Sequence, residues 1–161
     1  MIFSRAADAD ADADTPRPIV VLDTNVVLDW LVFRDPGCAA LGAALAARSM
    51  QWCASAAMRE ELAHVLGRGV AQAWQPDLAA LWSQWLRDCV ELPAPGPWPP
   101  ATRLRCTDAD DQMFIDFAVA HGARWLLSHD RAVLKLARRA RPLGLSILTP
   151  AQWAAARPAA P

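Results

Sequence analysis

A chain of 161 residues is long enough for one domain with a real core and too short for two, so a single site is expected. Its 54% hydrophobic and 20% charged residues are a globular composition that excludes a fibrous or wholly disordered chain. No apolar run approaches the roughly 18 residues of a membrane span, so no membrane partner is expected.

The net charge of −1 hides an uneven layout, because Arg124, Arg131, Lys135, Arg138, Arg139, Arg141 and Arg157 follow Gly122 against Asp130 alone. Such a basic stripe either attracts phosphates or is a solvated helix face. Met1 to Arg5 lack the long apolar region of a secretory leader, which makes the cytoplasm the expected compartment. The cysteines at 38, 53, 89 and 106 have no zinc-knuckle spacing and are expected to be buried free thiols.

In chain order, the Ala/Asp run of residues 6–14 places Asp8/Asp12 and Asp10/Asp14 at helical spacing, where like charges oppose the helix that alanine favours. Residues 1–17 are therefore expected to be a disordered tail. Pro18 to Leu22 is short, apolar and β-branched, as in a strand covered on both faces, and it ends at Asp23. Helices are expected over Asn25 to Phe33 and over Pro36 to Arg48, the second with Asp35 as cap and Pro36 at its first position.

Gln51 to Ala54 is a weak second strand, Ser55 caps a helix to about Leu66, and a further helix spans Asp77 to about Val90. Five prolines and a glycine between Pro93 and Pro100 exclude regular structure there. A helix from Thr107-Asp108 to about His121, a strand over Arg124 to Ser128, a helix over Arg131 to Arg139 and a strand over Leu145 to Leu148 complete the series. Strands alternating with helices predict a three-layer α/β/α sandwich with a parallel central sheet of four to five strands over 18–150, followed by a C-terminal tail over 151–161.

In such sheets the ligand crevice lies beyond the carboxyl ends of the strands, where Asp23 and Asp130 fall. Either one alone reads equally as a helix cap or turn residue. Two helical acids sharpen the pattern. Glu61 borders the apolar stripe Met58, Leu62, Val65 and Leu66, whereas Glu60 points to solvent. Asp111 extends the stripe Phe114, Ile115, Ala118 and Val119 backwards by one turn. A carboxylate on a core-facing stripe needs a paired arginine or a cation. Four acids gathered about 6 Å apart would repel by roughly 2–3 kcal/mol per pair at an effective dielectric near 20, and a hard divalent ion with oxygen ligands removes that cost.

With these residues identified, the chain resembles the PIN-domain family over about residues 18 to 150, and within it the branch of toxin components of toxin–antitoxin pairs. Val20-Val21-Leu22-Asp23-Thr24-Asn25-Val26 resembles the opening strand and first metal-binding aspartate. Ala54 to Leu62 resembles the second signature, whose acid six residues after Ser55 is Glu61. Asp108-Ala109-Asp110-Asp111-Gln112-Met113-Phe114 resembles the acidic run, with the third acid at Asp111. Leu126-Leu127-Ser128-His129-Asp130 is similar to the closing strand. The stretch from Gly67 to Arg105, with Trp74, Trp82, Trp85 and Trp98, follows no alignable pattern.

The resemblance implies a metal-dependent ribonuclease in which Asp23, Asp111 and Asp130 hold Mg²⁺ or Mn²⁺, with Glu61 completing the shell. It implies hydrolysis to 5′-phosphate and 3′-hydroxyl ends, RNA as substrate, a cognate antitoxin and a possible homodimer. Asn25 and Ser128 are placed to orient a water or a phosphate, or to cap; Asp108 is an outer partner or a helix cap; Arg131, Lys135, Arg138 and Arg139 are candidates for the RNA backbone. A second reading from another class is a PIN-like module that binds RNA or a protein without cutting. His129-Asp130 lacks the helical histidine partners of a phosphohydrolase, Asp23-Thr24-Asn25 lacks the second acid of an aspartyl phosphatase, and no Gly-rich turn follows the first strand as a dinucleotide-binding domain requires.

Overall fold

The computed structural model describes residues 15–69 and 71–157, so the tail expected over 1–17 lies, up to residue 14, outside the described residues. The chain runs β1 (Ile19–Leu22), α1 (Thr24–Leu31), α2 (Ala39–Ala46), β2 (Gln51–Ala54), α3 (Ala56–Gly67), α4 (Leu78–Asp88), β3 (Cys89–Glu91), α5 (Gln112–Ala120), β4 (Trp125–Leu127), α6 (Arg131–Leu134), α7 (Ala137–Ala140), β5 (Ser146–Leu148) and α8 (Pro150–Ala156). Short 3₁₀ turns precede α2 (Pro36–Cys38) and α5 (Ala109–Asp111).

All five strands are parallel, in the order β3-β2-β1-β4-β5. Successive residues of a strand point to opposite faces, and Val20 and Val21 in central β1 are both fully buried, so both faces of the sheet are covered. The architecture is the expected α/β/α sandwich. Among the described residues no helix is long and apolar enough to cross a membrane.

Much of the core on the β2 side is indole. Trp30, Trp52, Trp85 and Trp82 form a chain of edge-on contacts with ring centroids 5.7, 4.8 and 6.0 Å apart, and Trp74 packs edge-on against Phe33 at 5.1 Å. Trp74, Trp82 and Trp85 of the unalignable 67–105 stretch thus build this flank, while Trp98 lies beside α5 near Ile115 and Val119. The proline-rich stretch after Leu92 is irregular, as its composition demands. Cys38 and Cys53 are buried free thiols, and burial pushes both up to about 11; Cys89 and Cys106 are only partly buried, unlike the expectation.

Several boundaries depart from the sequence expectations for physical reasons. The helix expected to reach Val90 stops at Asp88, because residues 89–91 turn extended and pair with β2 through Trp52↔Cys89, satisfying that strand's outer backbone groups. The single helix expected over Arg131 to Arg139 divides at Lys135 and Leu136, where the Leu136 N–H bonds to the Val133 carbonyl three residues back and the Val133 and Leu136 side chains stay buried.

Of the tail expected over 151–161, residues 158–161 lie outside the described residues, and residues 151–156 join Pro150 in forming α8. Its start is a capping box in which Thr149 Oγ1 accepts from the Gln152 amide at 3.1 Å and Gln152 Oε1 accepts from the Thr149 amide at 3.0 Å. The helix buries Trp153 against Trp125, ring to ring at 5.9 Å. Trp153→Ala is expected to lower unfolding free energy by about 3–5 kcal/mol in urea denaturation, the range for emptying a large aromatic site. A loss below about 1 kcal/mol would show α8 to be peripheral.

Candidate active site

From β1 the chain builds outward to β2 and β3, then returns to the other side of β1 as β4. That reversal makes the carboxyl ends of β1 and β4 a topological switch point, the place where open α/β sheets bind their ligands. The pairing Leu22↔Leu127 sets Asp23 beside Ser128, and the Asp23 N–H continues the ladder to the Leu127 carbonyl at 3.0 Å.

Ser128 is fully buried between the two strand-end acids. Its Oγ donates to Asp23 Oδ2 at 2.7 Å and accepts from the Asp130 amide at 2.9 Å. One hydroxyl therefore links the Asp23 carboxylate to the Asp130 backbone, and its single proton, spent on Asp23, is not available to a substrate phosphate. Asp130 also caps α6, with Oδ1 accepting from the Ala132 amide at 2.8 Å. The turn between these residues is held from outside by α1: Asn25 Oδ1 accepts from the His129 amide at 3.2 Å, and Asp29 Oδ2 lies 2.8 Å from His129 Nε2.

The other acids arrive from helix starts. Ser55 accepts from the Met58 amide at 3.3 Å and opens α3, which buries Met58 and Leu62 and leaves Glu61 half-buried between them. Thr24 Oγ1 donates to Glu61 Oε2 at 3.1 Å, a contact the sequence reading did not name although Thr24 adjoins Asp23. Asp108 accepts from the Asp110 amide at 3.0 Å and opens the 3₁₀ turn that carries Asp111 inward. The Gln112 carboxamide ties this turn to the preceding loop, accepting from the Cys106 amide at 2.7 Å and donating to the Leu104 carbonyl at 2.8 Å.

Carboxylate oxygens of Asp108, Asp111 and Asp130 come within 4.8 Å of one another. This trio differs from the expected one, with Asp108 where Asp23 was anticipated. Asp23 joins through Ser128, and its charge reaches both Asp111 and Glu61. Among the described residues no lysine or arginine pairs with any of these five acids; the ion pairs run Arg59–Glu91, Arg87–Asp88, Arg103–Asp116 and His129–Asp29.

The electrostatics follow from burial and crowding. Asp111 is pushed up to about 8, first by burial, then by its hydrogen bond with Asp130 and the charges of Asp23, Asp130 and Asp108. Burial also raises Asp23, opposed by the Ser128 hydroxyl and the Thr24 and Asn25 amides and reinforced by Asp130. Glu61 rises by burial too, with Thr24 opposing and Asp23, Asp110 and Asp108 adding. Asp111 Oδ2 is buried without a hydrogen-bond partner. An unpartnered buried carboxylate oxygen facing like charges, in an all-oxygen donor set, fits a hard divalent cation.

Arg131, Lys135, Arg138 and Arg139 are exposed on α6, α7 and the turn between them, immediately after Asp130.

A PIN-domain family model matches residues 19–132. Comparison with curated proteins and with solved structures gave no match.

An unfolded aspartate releases its proton near 3.9, whereas folded Asp111 keeps it to about 8, so between these values the native state binds more protons and unfolding grows easier as pH rises. In chelator, the thermal midpoint should fall from about pH 5 to about pH 8, and Asp111→Asn should flatten the fall while stabilising the protein at the upper end by on the order of 1–3 kcal/mol. Identical pH profiles for the two proteins would contradict the crowding.

Proposed function

The chain belongs to the PIN-domain family, whose fold is of the nuclease type, and we propose that it is a divalent-metal-dependent endoribonuclease. The observation that carries the reading is the carboxylate trio within 4.8 Å, joined to Asp23 by one serine hydroxyl and without a neutralising lysine or arginine among the described residues. Asp108, Asp111, Asp130 and Asp23 are the residues that would hold Mg²⁺ or Mn²⁺, with Glu61 at the edge. Bound there, the cation supplies Lewis-acid charge that lowers the pKa of an attacking water and offsets phosphodiester charge during in-line displacement, giving 5′-phosphate and 3′-hydroxyl ends.

The chain's own groups prepare this chemistry. Ser128 orients the Asp23 carboxylate and holds the Asp130 backbone, and the Ala132 amide orients the Asp130 carboxylate, so the donor set needs little rearrangement. Thr24 does the same for one oxygen of Glu61 and leaves the other open. Asn25 spends its carbonyl oxygen on the His129 amide, which leaves its NH₂ to donate to a phosphate oxygen. Arg131, Lys135, Arg138 and Arg139 supply positive charge beside the acids for the RNA backbone.

The likeness of the four sequence blocks to the toxin branch supports a finer reading: a cytoplasmic toxin restrained by a cognate antitoxin, working as a homodimer.

Purified protein incubated with labelled transfer, messenger and ribosomal RNA is expected to cut only with Mg²⁺ or Mn²⁺. Asp23→Asn and Asp130→Asn should each lower kcat/KM by about 10²–10³, and chelator-resistant cleavage would overturn the mechanism. Raising salt should weaken cleavage, and Arg138→Ala or Arg139→Ala should each reduce the slope of log kcat/KM against log salt by about 1. Slopes equal to wild type would remove these arginines from the RNA path.

A further inference from the structure

Two groups on the rim of the carboxylate cluster have no part in the mechanism above: Asp29 and His129. Asp29 lies four residues after Asn25 on α1, so the two side chains emerge on one strip of the helix. Both engage the same residue of the β4–α6 turn. Asn25 Oδ1 accepts from the His129 backbone amide at 3.2 Å, and Asp29 Oδ2 lies 2.8 Å from His129 Nε2. The helix that begins directly after Asp23 thus grips the residue directly before Asp130. The grip bears on the cluster because Asp130 stands beside Asp108 and Asp111 and within reach of the Asp23 charge, so any movement of this turn changes the spacing of the acids. Ser128 holds the turn from the core side, and the Asp29–His129 pair closes it on the solvent side.

We propose that Asp29 and His129 form a latch that fixes the β4–α6 turn to α1 and thereby sets the position of Asp130 relative to Asp23. They are positioning residues, and their consequence for metal binding rests on the proposed function. The latch needs only an N–H on the ring and an acceptor at residue 29, so a neutral imidazole serves. Asp29 and His129 side chains are 23% and 39% exposed, so their truncation leaves the core intact.

The test has two readouts on the full chain. In chelator, amides of residues 129–132 should exchange at least about tenfold faster in Asp29→Ala and His129→Ala than in wild type, with unchanged far-UV circular dichroism. Mn²⁺, titrated by calorimetry, should bind these variants about 10–100-fold more weakly. Asp29→Asn keeps the acceptor and should stay within about threefold of wild type on both. Unchanged exchange in the alanine variants overturns the latch whatever the metal does. Faster exchange with unaltered Mn²⁺ affinity overturns its positioning role. A wild type that binds no Mn²⁺ overturns the proposed function, while exchange still decides the latch.

Discussion

The arrangement depends on one buried hydroxyl. Ser128 Oγ donates to Asp23 and accepts from the Asp130 amide, and so ties the Asp23 carboxylate to the backbone of the turn that carries Asp130. It can do this because β1 and β4 are hydrogen-bonded neighbours although more than a hundred residues lie between them. Register matters as much as adjacency: a slip of one residue would turn Ser128 to the opposite face and break the bridge.

The fold sustains an unfavourable cluster by surrounding it with favourable ones. Burial and like charge raise Asp111, Asp23 and Glu61 together, the signature of a site that is poorly satisfied as a bare set of carboxylates. Stability comes from elsewhere: the buried residues Val20 to Leu22 of β1 and Leu126 and Leu127 of β4, the chain of indoles around Trp52, and Trp153 on the inner face of α8. The acids sit at the end of these elements, where the sheet holds them and leaves Asp108 exposed and Glu61 and Asp130 half-buried. A strained electrostatic site on a well-packed support is the expected division between function and stability.

Much of this was legible in local sequence. The β-branched run before Asp23, the cap at Ser55, the acid on each apolar stripe and the strand ending Ser128-His129-Asp130 are all short-range patterns, and the structure carries each of them. The helix start at Thr149 is equally local, since Thr149, Pro150 and Gln152 form a capping box whose meaning needs no distant partner. β3 is different. Cys89-Val90-Glu91 continues a helical pattern by composition, and only the unpaired edge of β2 draws it into the sheet.

The sequence by itself determined the layered α/β class, the strand-end positions of Asp23 and Asp130, and the inward tilt of Glu61 and Asp111, because periodicity and capping act over a few residues. Tertiary structure alone decided that Asp108 joins Asp111 and Asp130, that Thr24 holds Glu61, that Ser128 is a buried bridge, and that Asp29 reaches His129. Those are contacts across wide sequence separations, fixed by the strand order and by which helix faces which turn, and no local pattern encodes such distances.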